Sequence, residues 1–207
     1  MEAGNAVILQ DCWASGNGQN IWNDPEFEGN RVGYKLGAER GAHLVLHCLA
    51  WKNGTSGFNI QDNTSGVTLY NNTAWDNPRN YLFDDNHPHK LRNNISFDGR
   101  VVMEPGIDHA NNSWNGGFMV TAEDFLSLND SGMDAARGPD GSLPESDFLR
   151  LAPGSDLIDG GINVGLAYKG RAPDLGAFES VRVSTDLTRD DMVNFLDFAV
   201  FLRLPRN

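Results

Sequence analysis

The feature that most constrains this chain is a repeat. Residues Ala42 to Asn53 (AHLVLHCLAWKN) lie over Gly66 to Asn77 (GVTLYNNTAWDN) at an offset of 24, with Cys48 falling on Asn72. A third copy, Leu91 to Phe97, follows at an offset of 22 and places Asn94 at the same position. An earlier copy, Val7 to Ala14, puts Cys12 36 residues before Cys48 and carries its extra length as an insertion. A unit this short has no core of its own. It buries its apolar face only by stacking on its neighbours, which defines a solenoid.

Each copy holds a short alternating run, Leu44-Val45-Leu46 or Val67-Thr68-Leu69, then a polar pair, a small residue and an aromatic. Alternation over so few residues suits a strand rather than a helix, and Gly and Asn punctuate the ends. Equivalent strands of successive turns then pair in parallel, and equivalent side chains stack at about 4.8 Å. Cys12, Cys48, Asn72 and Asn94 form one such file, an asparagine ladder in its later members that satisfies turn backbone. Ala50, Ala74 and Ser96 form a small-residue file, and Trp51, Trp75 and Phe97 an aromatic one that is read as core. A further set of strands around Val32–Gly37, Gly57–Asn63 and Asn80–Asp85 brings Lys35, Asn59 and Leu82 into one file. The expected fold is all-β, a right-handed parallel β-helix over residues 1–110. The last coil and an irregular C-terminal end-piece that hides the last edge follow over 111–180, then a linker and short helical tail over 181–207.

The chain has 207 residues, a net charge of −12 and a pI near 4.6, which argues against nucleic acid as the main partner. No apolar run is long enough for a membrane-spanning helix. The start, Met1-Glu2-Ala3-Gly4, is not a basic then apolar leader, so the chain reads as one whose leader was removed or as a piece of a longer protein. Cys12 and Cys48 read as small ladder residues with free thiols in preference to a disulfide. The Asn-x-Ser/Thr triplets at Asn53, Asn63, Asn71, Asn94 and Asn129 read as by-products of an asparagine-rich ladder rather than as glycosylation sites.

Lys35 is the first candidate for chemistry. It lies on a strand between two glycines, beside a long loop, and a lysine there serves as a general base if its neutral form is accessible. Lysine ordinarily titrates near 10.4, so that role calls for a lowered value or alkaline conditions; the alternative is a solvated surface lysine. Asn59, Gln61, Asp62 and Asn63 make a polar run suited to sugar hydroxyls, or else to a satisfied turn. Trp22, in the long loop, is placed to stack on a sugar ring. Asp84 and Asp85 offer carboxylates, but neighbouring strand residues face opposite ways. His87-Pro88-His89 lacks further metal ligands at suitable spacing and reads as a loop. In the tail, Asp186, Thr188, Asp190, Asn194 and Asp197 put oxygens at positions 1, 3, 5, 9 and 12 of a calcium-type loop, although Asp191 stands where such loops have glycine.

Taken together, Asp11-Cys12-Trp13-Ala14, Val32-Gly33-Tyr34-Lys35-Leu36-Gly37, Gly57-Phe58-Asn59, Leu69–Trp75 and Leu91–Ser96 resemble the pectate lyases of polysaccharide lyase family 9. The resemblance runs over roughly residues 5–180. It implies calcium-assisted β-elimination of polygalacturonate by a secreted or cell-surface enzyme, with Lys35 as the base and Asn59, Gln61, Asn63 and Trp22 as substrate contacts. The tail is similar to half of a dockerin repeat, which implies calcium at Asp186, Asp190 and Asp197 and a cohesin-like partner. The family's main calcium ligands are aspartates just before the Asp-Cys-Trp-Ala copy, where this chain has Glu2 as its one acid. Two rival readings follow: an inactive lyase fragment or non-catalytic glycan-binding β-helix, and a hydrolase using carboxylates such as Asp84.

Overall fold

A computed structural model describes residues 6–37, 40–142, 144–180 and 195. Three short strands make each coil. The first coil has β1 (Ile8–Gln10), β2 (Trp13–Ser15) and β3 (Val32–Lys35); the second has β4 (Leu44–Leu46), β5 (Leu49–Trp51) and β6 (Ser56–Asn59). The third has β7 (Thr68–Tyr70), β8 (Thr73–Trp75) and β9 (Arg79–Phe83). The fourth has β10 (Lys90–Arg92), β11 (Ile95–Phe97) and β12 (Arg100–Met103), and β13 (Asp108–Ala110) opens a last partial coil. Equivalent strands pair in parallel into three sheets: sheet A in the order β1-β4-β7-β10-β13, sheet B β2-β5-β8-β11, and sheet C β3-β6-β9-β12. This is the expected all-β solenoid.

The register keeps the files read from the repeat. Ala14, Ala50, Ala74 and Ser96 pair in line, as do Ser15, Trp51, Trp75 and Phe97. The strands of sheet C are shorter than expected, since the Gly57–Asn63 and Asn80–Asp85 runs turn away after Asn59 and Phe83. The corner between sheets A and B needs a left-handed residue in every coil. Asp11, His47, Asn71, Asn93 and Asn111 supply it with φ of 49°, 50°, 54°, 57° and 55°. Asn and Asp enter that region at low cost, which is why the corner is asparagine-rich.

Beside that corner the ladder runs as expected. The backbone N–H of Cys48 donates to Asn72 Oδ1 (2.9 Å), that of Asn72 to Asn94 Oδ1 (3.0 Å), and that of Asn94 to Asn112 Oδ1 (3.0 Å). A second ladder, not anticipated from the repeat, joins Asn17, Asn53 and Asn77, with N–H to Oδ1 distances of 3.2 and 2.9 Å. Its next place, one coil on, is Gly99, which has no amide to offer. Asn80 fills the gap from within the same coil, accepting from the N–H of Asn77 at 3.3 Å. A Cβ on Gly99 would sit 2.5 Å from Asn80 Oδ1, so the glycine makes room for its substitute. Asn115 ends the first ladder in the same way, accepting from Asn112 at 2.9 Å. Of the triplet asparagines, Asn53, Asn63, Asn71 and Asn94 are buried by the coils, whereas Asn129 is exposed.

Two cores lie on opposite sides of sheet B. The inner one runs down the solenoid axis, where Tyr34, Phe58 and Tyr81 stack with ring centres 4.9 and 5.1 Å apart, and Trp114 covers Tyr81 at 4.8 Å. Trp51 and Trp75 belong to the other core, on the outside of the coils. Ala50 and Ala74 point inward, and the residues flanking them pack against the C-terminal end-piece. Phe148 wedges between Trp51 and Trp75 at 5.0 and 5.5 Å, and Phe125 meets Phe97 at 5.3 Å. The end-piece was expected to hide the last edge; instead it runs along the stack. Arg137 lies over Trp13 in the first coil, while Asn71, Asn93 and Asn111 donate to the carbonyls of Asp174, Ile162 and Gly160 at 2.8–2.9 Å. Trp114 is what closes the inner end.

Candidate functional site

The outer face of sheet C has no such cover from the end-piece residues in the outer core. Lys35 stands on it, exposed, because its neighbours Tyr34 and Leu36 are both drawn into the inner core and strand residues alternate. Asn59 is its pairing partner and Leu82 the next in line, the file read from the repeat. Gly37 then lets the chain press onto the next coil: a Cβ there would lie 1.6 Å from the carbonyl oxygen of Ile60. Asn59 Oδ1 accepts the N–H of Gln61 at 2.9 Å, holding a turn in which Gln61 and Asp62 are left-handed, with φ of 35° and 60°. That turn leaves Asn59 and Gln61 part-exposed and Asp62 exposed next to the Lys35 strand.

Asn63 is different. It is fully buried, and its amide donates to the carbonyls of Leu36 (2.8 Å) and Gly41 (2.9 Å) while its oxygen accepts the N–H of Ser65 (3.0 Å). All its polar capacity is spent tying down the segment that follows Lys35, so it holds the site from behind and does not face outward. Trp22 is 75 % exposed at the tip of the excursion between β2 and β3, whose return leads straight into the Lys35 strand. Within that excursion Asn20 and Asp24 clasp each other, the Asp24 N–H donating to Asn20 Oδ1 at 2.9 Å and the Asn20 amide to the Asp24 carbonyl at 2.7 Å. Asp24 Oδ1 also accepts the N–H of Glu26 (2.9 Å), so this carboxylate is occupied locally.

Asp84 and Asp85 do not cooperate. Asp84 is exposed, whereas Asp85 turns back and accepts a hydrogen bond from His89 Nε2 at 2.8 Å. The Val67 N–H donates to His89 Nδ1 at 3.1 Å, which fixes the proton on Nε2. Burial pushes the His89 pKa below its ordinary value, against the hydrogen bond and charge of Asp85. Sequence reasoning missed this pair. The His43 and His89 file signals only the acceptor role of the ring, since His43 Nδ1 accepts the N–H of Val7 in the same manner (3.1 Å).

Among the described residues no group of three or more His, Cys, Asp or Glu is placed to hold a metal ion, so they do not fit a calcium site. Asp186, Asp190 and Asp197 lie outside the described residues. Cys12 and Cys48 are free thiols, and burial pushes the Cys48 thiol up to about 12, which makes it inert as a nucleophile. The candidate surface is therefore Lys35 with Asn59 and Gln61, flanked by the excursion that carries Trp22.

Comparison with known proteins covers this same surface. Residues 1–113 match the family model described as the Pel9A-like, right handed beta helix region. Pectate lyase L of Dickeya dadantii (strain 3937) is 41% identical over 180 residues, which are 84% of this chain and 42% of that protein. Pectate lyase L of Paenibacillus polymyxa (strain SC2) is 35% identical over 168 residues, 75% of this chain and 37% of the relative. The crystal structure of pectate lyase Pel9A superposes with a TM-score of 0.79 at 40% identity, over 84% of this chain and 45% of that one. A rhamnogalacturonan lyase structure follows at a TM-score of 0.58 and 25% identity, over 72% and 42%. The chain spans less than half the length of the relatives it matches.

Proposed function

This chain belongs to the Pel9A-like right-handed β-helix family, and from that premise we propose that it acts on polygalacturonate by pectate lyase-type β-elimination, with Lys35 as the general base. The carrying observation is the presentation of Lys35: an exposed amine on a strand anchored by two buried neighbours, inside the segment that matches the family. In the reaction the neutral amine takes the proton from the sugar carbon that bears the carboxylate. That electron pair forms the new carbon–carbon double bond, the bond to the glycosidic oxygen breaks, and water protonates the departing oxygen. Asn59 and Gln61 contact sugar hydroxyls, and Trp22 stacks on a ring. Asn63 acts as a positioning residue through Leu36 and Gly41.

The resemblance also implies calcium, which would neutralise the substrate carboxylate and acidify the adjacent proton. The described residues do not fit a site for it, and no step above is routed through the ion. A polysaccharide substrate places the protein outside the cell, secreted or on the surface.

The test is ultraviolet absorbance of polygalacturonate incubated with the chain, with calcium and with chelator, for the parent and for Lys35→Ala. A general base contributes about 10²–10⁴-fold, so Lys35→Ala loses elimination by that factor while still binding polygalacturonate. Unchanged elimination in Lys35→Ala overturns the lysine assignment. Binding of polygalacturonate by the parent with no rise in absorbance in either condition replaces the lyase by a glycan-binding β-helix.

A further inference from the structure

Three of the described cations are ion-paired, none of them on the strands of sheet C; among the described residues outside the sheets, Arg31, Arg137, Arg150 and Lys169 have no such pair either. Lys52, Lys90 and Arg92, on the coils of sheets A and B, each reach a carboxylate: Lys52 pairs with Asp130 at 3.1 Å, and Lys90 and Arg92 share Asp108 at 3.9 and 2.5 Å. On the strands of sheet C the pattern reverses. Among the described residues Lys35, Arg79 and Arg100 have no carboxylate within ion-pair reach, although the chain holds 28 acidic against 16 basic side chains. Arg79 and Arg100 are also register partners on adjacent strands. Their backbones are therefore about 4.8 Å apart, and like charges facing across a strand pair disfavour each other. Arg100 adds to the crowding, because its Nε donates to the carbonyl of Pro78 (3.4 Å), the residue just before Arg79. A fold with a surplus of carboxylates has left two neighbouring guanidinium groups unneutralised on the same sheet as the candidate base.

We propose that Arg79 and Arg100 form an anion track that continues the Lys35 surface along sheet C and holds the carboxylates of a polyuronate chain beyond the sugar at Lys35. The inference rests on the lyase reading and extends it from one residue to a binding surface. Arg79 lies two strands from Lys35 and three positions earlier along its strand, roughly 10 Å in each direction. That span suits a chain of several sugars and is too long for a single uronate to bridge. A polyuronate carries one carboxylate on every sugar, a repeat comparable with the coil spacing, so successive carboxylates can meet successive coils. Arginine suits the role, since its planar fork binds a carboxylate through two parallel hydrogen bonds. The like-charge cost at Arg79 and Arg100 is relieved when the anion binds, which favours the bound state over the free one.

The test measures polygalacturonate binding for the parent, Arg100→Gln, Arg79→Gln/Arg100→Gln and Arg79→Lys/Arg100→Lys, each also carrying Lys35→Ala to suppress turnover, with elimination followed separately in the variants that keep Lys35. The double Gln variant is expected to bind about tenfold more weakly and to raise KM with kcat held, the mark of lost uniform binding. The double Lys variant recovers much of that loss. The variants are also expected to lose part of the preference for polygalacturonate over highly methyl-esterified pectin, whose sugars lack the charge. Arg100 is exposed, so Arg100→Gln alone keeps the test valid if the double variant folds poorly. If the parent binds and cleaves polygalacturonate while the Gln variants match it in binding and KM, the track is overturned and the lyase reading stands. A parent that neither binds nor cleaves polygalacturonate overturns both.

Discussion

Sheets B and C are built from the same coils, in the same register, yet their outer faces have opposite fates. On sheet B the outward file is Ser15, Trp51, Trp75 and Phe97, and the end-piece lies over it with Phe148, Phe125 and Leu151. On sheet C the outward file is Lys35, Asn59 and Leu82, with Lys35 exposed. Parallel stacking repeats whatever stands at a position, so it multiplies an aromatic into a hydrophobic seam or a polar residue into a binding face with equal ease. What separates the two is cover: the chain's own C-terminal segment lies over the file on sheet B, while Lys35 on sheet C is left open. In the proposed reading, stability and function fall on different sides of one scaffold.

The sharpest way to break this division is to exchange the effects. Lys35→Ala should remove about 10²–10⁴-fold of elimination activity and leave the thermal transition within a degree or two, because the residue is exposed. Phe148→Ala should do the converse. Truncating a fully buried aromatic between two tryptophans costs about 3–5 kcal/mol, lowering the melting temperature while the folded fraction keeps its specific activity. A Phe148→Ala protein that is folded yet inactive would show that the faces are coupled.

A smaller effect tests whether the turns beneath both faces are held by the ladder. Asn94 accepts the N–H of Asn72 and donates to the carbonyl of Leu69 at 3.0 Å in each case, all buried. Asn94→Ala leaves both groups unpaired and is expected to cost about 2–4 kcal/mol in chemical denaturation. Asn94→Asp, which sets a buried carboxylate oxygen against the Leu69 carbonyl and Asn112 Oδ1, should cost at least as much.

The mildest prediction concerns pH. His89 is buried and its pKa lies below the ordinary value, so the folded protein binds fewer protons there than the unfolded chain does. Its contribution to stability is complete above about pH 6.5 and declines as pH falls from there towards the lowered folded value. Denaturation midpoints should drop across that window in the parent, and His89→Gln should flatten part of the slope. Burial also lowers His109, helped by the Arg92 charge, so a residual slope of the same sign is expected in the variant.

How far the amino-acid order revealed these two faces follows from what each residue could betray alone. The file of Lys35, Asn59 and Leu82 was readable because glycines and aromatics flank each copy and fix its register. The asparagine ladder was readable because its members recur at the repeat offset. The outward direction of Trp51 and Trp75 was not. In Leu49-Ala50-Trp51 both parities are apolar, and such a run marks a strand buried on both sides without saying which side is the axis. The small size of Ala50 was the clue, since this residue faces an interior already filled by the rings of Tyr34, Phe58 and Tyr81. The pairing of Asp85 with His89 was hidden for another reason: it depends on the turn after β9 folding back, which no local pattern encodes. Asn63 was misjudged because a polar residue beside a site and a polar residue beneath it look alike in one dimension.

Asn80 and Asn115 carry a consequence of their own. Identical units that stack through a shared amide have no intrinsic reason to stop, and an unfinished row invites another copy or another molecule. Both rows here end in an asparagine three residues further along the same chain, which supplies the amide that a following coil would have brought. The i, i+3 asparagine thus serves as a full stop for its own row, written in the last unit that carries the row. One row closes in an earlier coil than the other, so each file of a solenoid can be ended independently of the number of turns.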